Sequence, residues 1–156
     1  MKPDDETEII DYDPAYRDAF RDLNLEWIEM YFKVEEPDRK ALGDPEGYIL
    51  SRGGRVFFAR YEGEVVGTCA LLNAGDGVFE LVKMAVAPRA QGKQIGKKLC
   101  LHAVEEARRM GARQVFLESN TVLTPAIELY RKAGFRQVDL IPSPYRRSNI
   151  RMQIDL

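Results

Sequence analysis

Two kinds of apolar spacing divide the 156 residues into an ordered series of strands and helices. Apolar residues recurring every three to four positions mark a helix with one buried face, whereas alternation or a short unbroken apolar run marks a strand. "TEIIDYDP" reads as a short strand stopped at Pro14, and "AYRDAFRDLNLEWIEMYF" places Phe20, Leu23, Trp27, Met30 and Tyr31 at helical spacing. "VEEPDRKALGDPEGYIL", with Pro37, Gly43, Pro45 and Gly47, predicts a second short helix ending at Gly43 and then an irregular link. "RVFFARYEGEVVGTCALLN" holds two β-rich runs around "EGE", and "GDGVFELVKMAVAP" adds a third strand after "DG", which makes an antiparallel meander. Ile95, Leu99, Ala103, Ala107 and Met110 form one helical stripe that Gly111 stops, and "RQVFLES" follows as a strand, completing a β-α-β crossover. In "LTPAIELYRKAGF" Thr124 is the expected N-cap, Pro125 fits the first turn, and Gly134 with Phe135 supplies the stop. "FRQVDL" and "NIRMQIDL" close the chain as strands around "IPSPYRRS".

This order predicts an α/β fold: a mixed, mostly antiparallel sheet flanked by helices, in one domain over residues 1–156. Its longest apolar runs, "CALL" and "VFFA", fall far short of the roughly 18 residues of a membrane span. "MKPDDETE" has no apolar segment of the kind that directs export, so a cytoplasmic location is the expectation. Cys69 and Cys100 sit in apolar context without metal-ligand spacing and are read as core residues. His102 is the only histidine, which disfavours a metal site or a proton relay needing two. Charge is unevenly divided: residues 1–47 hold 15 Asp/Glu against 6 Lys/Arg, and the remainder 10 against 17. The basic residues are scattered rather than interleaved with aromatics, so a nucleic-acid partner is not expected.

Candidate chemistry concentrates in "MAVAPRAQGKQIGKKL", a strand that runs through Pro88 into a Gly- and Lys-rich turn opening a helix. Free N–H groups, the positive end of a helix and lysines at one spot hold phosphate. A P-loop is excluded because Gln91 stands where its first glycine belongs and Lys98 where its hydroxyl belongs; a dinucleotide fingerprint is excluded because Gly92 and Gly96 lie four apart after a meander. Instead, Gln91-Gly92-Lys93-Gln94-Ile95-Gly96 resembles the [QR]-x-x-G-x-[GA] phosphate loop of the GCN5-related N-acetyltransferases (GNAT). "LESNTVLTPAIELYRKAGF" resembles that family's second cofactor motif, so the resemblance covers residues 80–138 and the element order extends it to the whole chain. One departure is Gln94 in place of the loop's first glycine. If that position needs a positive φ, the side chain weakens pyrophosphate binding.

The resemblance implies the acyl-CoA N-acyltransferase fold and acetyl-CoA as co-substrate, without a metal. Met84, Ala85 and Val86 would offer their backbone to the pantetheine arm, the amides of Gln91, Gly92, Lys93, Gln94, Ile95, Gly96 and Lys97 would hold the pyrophosphate, and Asn120 would bond the cofactor. Tyr130 would protonate or hydrogen-bond the leaving thiolate, though its helix stripe also suits a plain core aromatic. Glu80 would take the amine's proton, or alternatively be an outward-facing strand residue. The acceptor would lie among the first helices and the last strand pair, with Trp27, Tyr31, Tyr145, Arg146 and Asn149 as candidate contacts. The acidic first third favours a cationic acceptor, while Tyr145, Arg146 and Asn149 suit a carboxylate-bearing amine, and the sequence does not choose. The expected partners are a small-molecule or protein amine and, among assemblies, a homodimer. A non-catalytic acetyl-CoA sensor would share the phosphate loop but could dispense with Tyr130 and Glu80.

Overall fold

The computed structural model describes residues 7–156. The acidic start, from which the absence of an export segment was read, therefore lies outside the described residues apart from Thr7 and Glu8. The elements are β1 (Thr7–Asp11), α1 (Arg17–Tyr31), α2 (Glu36–Gly43), α3 (Pro45–Tyr48), β2 (Arg55–Tyr61), β3 (Glu64–Gly75), β4 (Val78–Val86), α4 (Ile95–Arg109), β5 (Gln114–Ser119), α5 (Thr124–Lys132), β6 (Arg136–Val138) and β7 (Ile150–Asp155). They follow the predicted order, with α3 added where an irregular link was expected. The Asp44 side chain accepts the Gly47 N–H at 3.0 Å and Pro45 opens the turn, so this short helix is made by local capping.

The seven strands form one sheet in the order β1-β2-β3-β4-β5-β7-β6. Both meander turns have positive φ at both central residues, Glu62 (51°) and Gly63 (83°), then Asp76 (56°) and Gly77 (77°). That combination matches the right-handed twist of the strands that each turn joins. Only β4 and β5 are parallel, as a β-α-β crossover through α4 requires. The last strand, β7, inserts antiparallel between β5 and β6.

Helices cover both faces. Phe57 points into the core under α4 and α5 with Leu71, Leu81, Leu99 and Leu117, whereas its neighbour Phe58 points into the core under α1 to α3 with Phe20, Ile28 and Ile49. Burial on both sides is why the central strands read as unbroken apolar runs. Cys69 and Cys100 are buried in the first of these cores as expected. Gly67 lets α4 press on the sheet, since a Cβ there would meet Ile95 and Leu99 at 3.1 Å. No helix among the described residues is long and apolar enough to cross a membrane.

One end of α5 differs from the sequence reading. Thr124 is the first helical residue of α5 and Leu123 occupies the cap position, because the preceding turn is closed by Asn120, whose side chain accepts the Val122 N–H at 2.9 Å. The C-terminal stop is as read: Gly134 takes φ 107°, and the Phe135 N–H returns to the Tyr130 carbonyl at 3.0 Å.

Candidate active site

The site exists because β4 and β5 part company. They pair only over Val78–Glu80 and Gln114–Phe116; beyond that, β4 stays with β3 and β5 with β7. The edge of β4 from Leu81 to Val86 thus faces a cleft whose far wall is Leu117 to Asn120. An edge without a neighbouring strand leaves backbone N–H and C=O groups free to bind an extended ligand. Met84, Ala85 and Val86 lie on it, as the motif required.

At the end of this edge α4 begins. Gly92 (φ 85°) and Gln94 (φ 64°) turn the chain so that the N–H groups of residues 92–97 have no backbone acceptor among the described residues. The chain there makes an anion cradle with the helix dipole behind it. Gln94 does hold the left-handed conformation that the missing glycine would have taken at no cost. Gly96 sits where α4 passes α5, and a Cβ would meet Leu129 Cδ1 at 3.1 Å.

Tyr130, on α5, is buried among the core residues and packs edge-on against Phe135 at 6.1 Å, yet it lines the cleft, and no hydrogen-bond partner among the described residues engages its hydroxyl. It is both the core aromatic and the cleft phenol between which the sequence could not choose. Burial, with smaller contributions from Cys100 and Cys69, raises its pKa well above the ordinary tyrosine value, so it remains a proton donor. Glu80 ends the paired part of β4. Burial first and the Glu118 charge second raise it to about 7, against the opposing pull of Lys83 and Arg151. A carboxylate poised there accepts a proton near neutral pH.

Beside Glu80 lies a charged cluster that the sequence reading missed. Asp38, from α2, is fully buried; it accepts both terminal nitrogens of Arg147 at 2.7 Å and pairs with Lys83 Nζ. The Arg147 and Lys83 pairs hold its carboxyl down to about 2 although burial pushes the other way. Lys83 also donates to the Tyr145 hydroxyl at 3.0 Å, and both its Nζ (4.8 Å) and Arg147 Cζ (4.5 Å) lie near the Tyr145 ring. Glu35 accepts the Arg146 N–H at 2.9 Å, so two carboxylates tie the segment before β7 to the start of α2. On the opposite wall Glu118 accepts from Ser143 at 2.6 Å, and Arg151 stacks on Phe116 at 3.8 Å.

Of the residues expected from sequence, the cleft gathers Trp27, Glu80, Met84, Ala85, Val86, Gln91, Gly96, Asn120, Tyr130 and Tyr145. The amide of Asn120 is spent on its own turn and on the Arg147 carbonyl at 2.7 Å. Gly92, Lys93, Gln94 and Lys97 stand at the cradle beyond the cleft walls, and the Ile95 side chain is in the core. Tyr31 is half exposed against Trp27, Arg146 is exposed, and Asn149 bonds Thr121; none of these three lines the cleft. Arg147 carried no periodic signal, because it lies in a turn in which the Ser148 N–H returns to the Tyr145 carbonyl at 3.5 Å. Nor did Lys83, because regular alternation puts it opposite Glu80. A bulge between the Val82 and Ala85 pairings, with Lys83 at φ 58°, re-aims it.

The GNAT acetyltransferase family model matches residues 16–135. The chain belongs to the GNAT acetyltransferase family. This N-acetyltransferase is 33% identical over 133 residues to the uncharacterized N-acetyltransferase YjgM of Escherichia coli K12, covering 81% of this chain and 77% of that protein. A GNAT-family acetyltransferase of Staphylococcus aureus Mu50 shares the fold with a TM-score of 0.86 at 22% identity, covering 96% of this chain and 98% of the other. A Bacillus subtilis acetyltransferase solved in complex with CoA superposes with a TM-score of 0.72 at 25% identity, covering 96% and 99%.

Proposed function

We propose that this GNAT acetyltransferase, acting as one domain, moves an acetyl group from acetyl-CoA directly to a primary amine. The observation that carries the reading is a juxtaposition: one cleft and its end hold an unpaired strand edge, a helix start whose N–H groups have no partner among the described residues, the open hydroxyl of a buried tyrosine and a carboxyl poised near neutral pH. Unsatisfied amides at 92–97 fit a pyrophosphate, and the Met84–Val86 edge fits an amide-bearing arm. Bound there, the thioester supplies an electrophilic acetyl carbon and a thiolate leaving group.

The chain's own residues supply the rest. Glu80 receives the proton of the incoming ammonium, directly or through a water, leaving a neutral nucleophile. Tyr130 donates its hydroxyl proton or hydrogen bond to the departing sulfur. The cleft walls of Leu117, Leu123 and Leu129 limit water beside the reacting atoms. Saturating acetyl-CoA raises the melting temperature, because a ligand bound only to the folded state stabilises it. Free-thiol release against an amine panel then reports transfer. A melting shift with no thiol release would leave a cofactor-binding domain without the reaction, and no shift would remove the cofactor assignment.

A further inference from the structure

A second pocket, of about 300 Å³, opens on the α2 and α3 face of β4. It shares Glu80, Val82, Lys83 and Tyr145 with the cleft, so these four are the wall through which the two spaces meet. Building on the acetyl-transfer reading above, we propose that this pocket takes an acceptor of ω-amino-acid type: one amine, a compact apolar body and an anionic group at the opposite end.

Three observations carry the proposal. The body of the pocket is apolar, formed by Ala41, Ile49, Leu72, Val82 and Pro144 with the Tyr145 ring, which matches a hydrocarbon or aromatic side chain and offers a polyamine chain nothing polar to meet. Only one carboxyl in it is uncommitted. Glu80 has no ion pair or hydrogen bond among the described residues, whereas Glu36 is paired with Arg39 at 3.1 Å. The acidic residues nearest this face are likewise occupied: Asp38 by Lys83 and Arg147, Glu35 by the Arg146 N–H and Arg147, Asp44 by the Gly47 N–H, Glu46 by Tyr12 and Arg17. The acidic residues that border this face are therefore engaged by partners within the chain, and Glu80 is the carboxyl in the pocket open to an ammonium.

The third observation is the sign of the outer rim. Lys40, exposed and without an ion pair among the described residues, borders both this pocket and an open basin outside it, where Arg39 and Arg52 stand; Arg52 lies over the Tyr48 ring at 4.9 Å. An acceptor whose amine meets Glu80 and whose body fills the apolar space thus extends an anionic group toward Lys40.

The test compares 4-(2-aminoethyl)benzoate, which carries its carboxylate at the opposite end of the ring from the amine, with phenethylamine and spermidine as acceptors by thiol release, in the parent and in Lys40→Glu. 4-(2-Aminoethyl)benzoate should exceed phenethylamine in kcat/KM by about three- to fivefold, the size of one exposed ion pair, with the difference fading in high salt. Lys40→Glu should reverse the order, and spermidine should be the poorest of the three. Equal rates for 4-(2-aminoethyl)benzoate and phenethylamine, an unchanged order in Lys40→Glu, or spermidine as the best acceptor would overturn the pocket's assignment while leaving acetyl transfer standing. No thiol release with any amine, despite an acetyl-CoA melting shift, would overturn both.

Discussion

Replacing Asp38 by Asn probes the cluster that joins α2, β4 and the segment before β7. Asp38 has no solvent exposure, and its partners Lys83 and Arg147 are 5% and 18% exposed at their side chains. The substitution keeps the shape and the capacity to accept the Glu35 N–H, which lies at 2.9 Å, but removes the negative charge. Two buried cations then converge on a neutral amide. Removing one partner of a buried pair costs about 3–5 kcal/mol, chiefly because the survivor stays desolvated and uncompensated. For a chain of this length each kcal/mol is worth roughly 2–4 °C, so the melting temperature should fall by about 6–20 °C.

The pH dependence separates this explanation from loss of packing. Burial already pulls Lys83 below its ordinary value, and Asp38 opposes that pull. Without Asp38 the folded state holds the Lys83 proton more weakly still, so at alkaline pH the unfolded chain binds more protons and stability rises with pH. The deficit of Asp38→Asn should therefore narrow between pH 7 and about 10. At the acid end the signs reverse. A carboxyl held at about 2 in the folded state contributes stability that is complete above its unfolded value of 3.8 and is lost as pH falls through 2, so acid should destabilise the parent more than the variant. Adding Lys83→Met to Asp38→Asn should recover part of the loss. Urea melts across pH would refute the reasoning if the loss stayed under about 1 kcal/mol or the deficit were constant from pH 7 to 10.

Glu80→Gln should lower kcat/KM most near neutral pH and abolish the rise that the parent shows as pH climbs through about 7; a variant whose profile parallels the parent's would remove Glu80 as the base. Tyr130→Phe should lower kcat by about 10²–10⁴ while the acetyl-CoA dissociation constant hardly moves, and a normal kcat in the folded variant would leave Tyr130 a core aromatic alone. Gln94→Gly should relieve the left-handed backbone at φ 64° and stabilise the apo protein by about 0.5–1 kcal/mol, with acetyl-CoA bound at least as tightly; a lower melting temperature would show that the side chain has contacts worth more than the strain.

What the sequence determined by itself is what depends on near neighbours. Helix stripes, the "EG" and "DG" turns, the Gly134–Phe135 stop and the loop before α4 are set by groups within a few positions of one another, and these alone identify the order of elements and the turn that opens α4. Tyr130 and Glu80 were legible as candidates because each sits inside such a local pattern. Which role each had was not, because whether a side chain is core or cleft depends on where β4 leaves β5. Tertiary structure alone placed β7 between β5 and β6, turned Lys83 through a bulge, and brought Asp38 to partners 45 and 109 residues away. Counting acidic residues along the chain likewise could not show that Asp38 and Glu35 pair with Lys83 and Arg147, since burying a charge is stable only when an opposite one is buried with it.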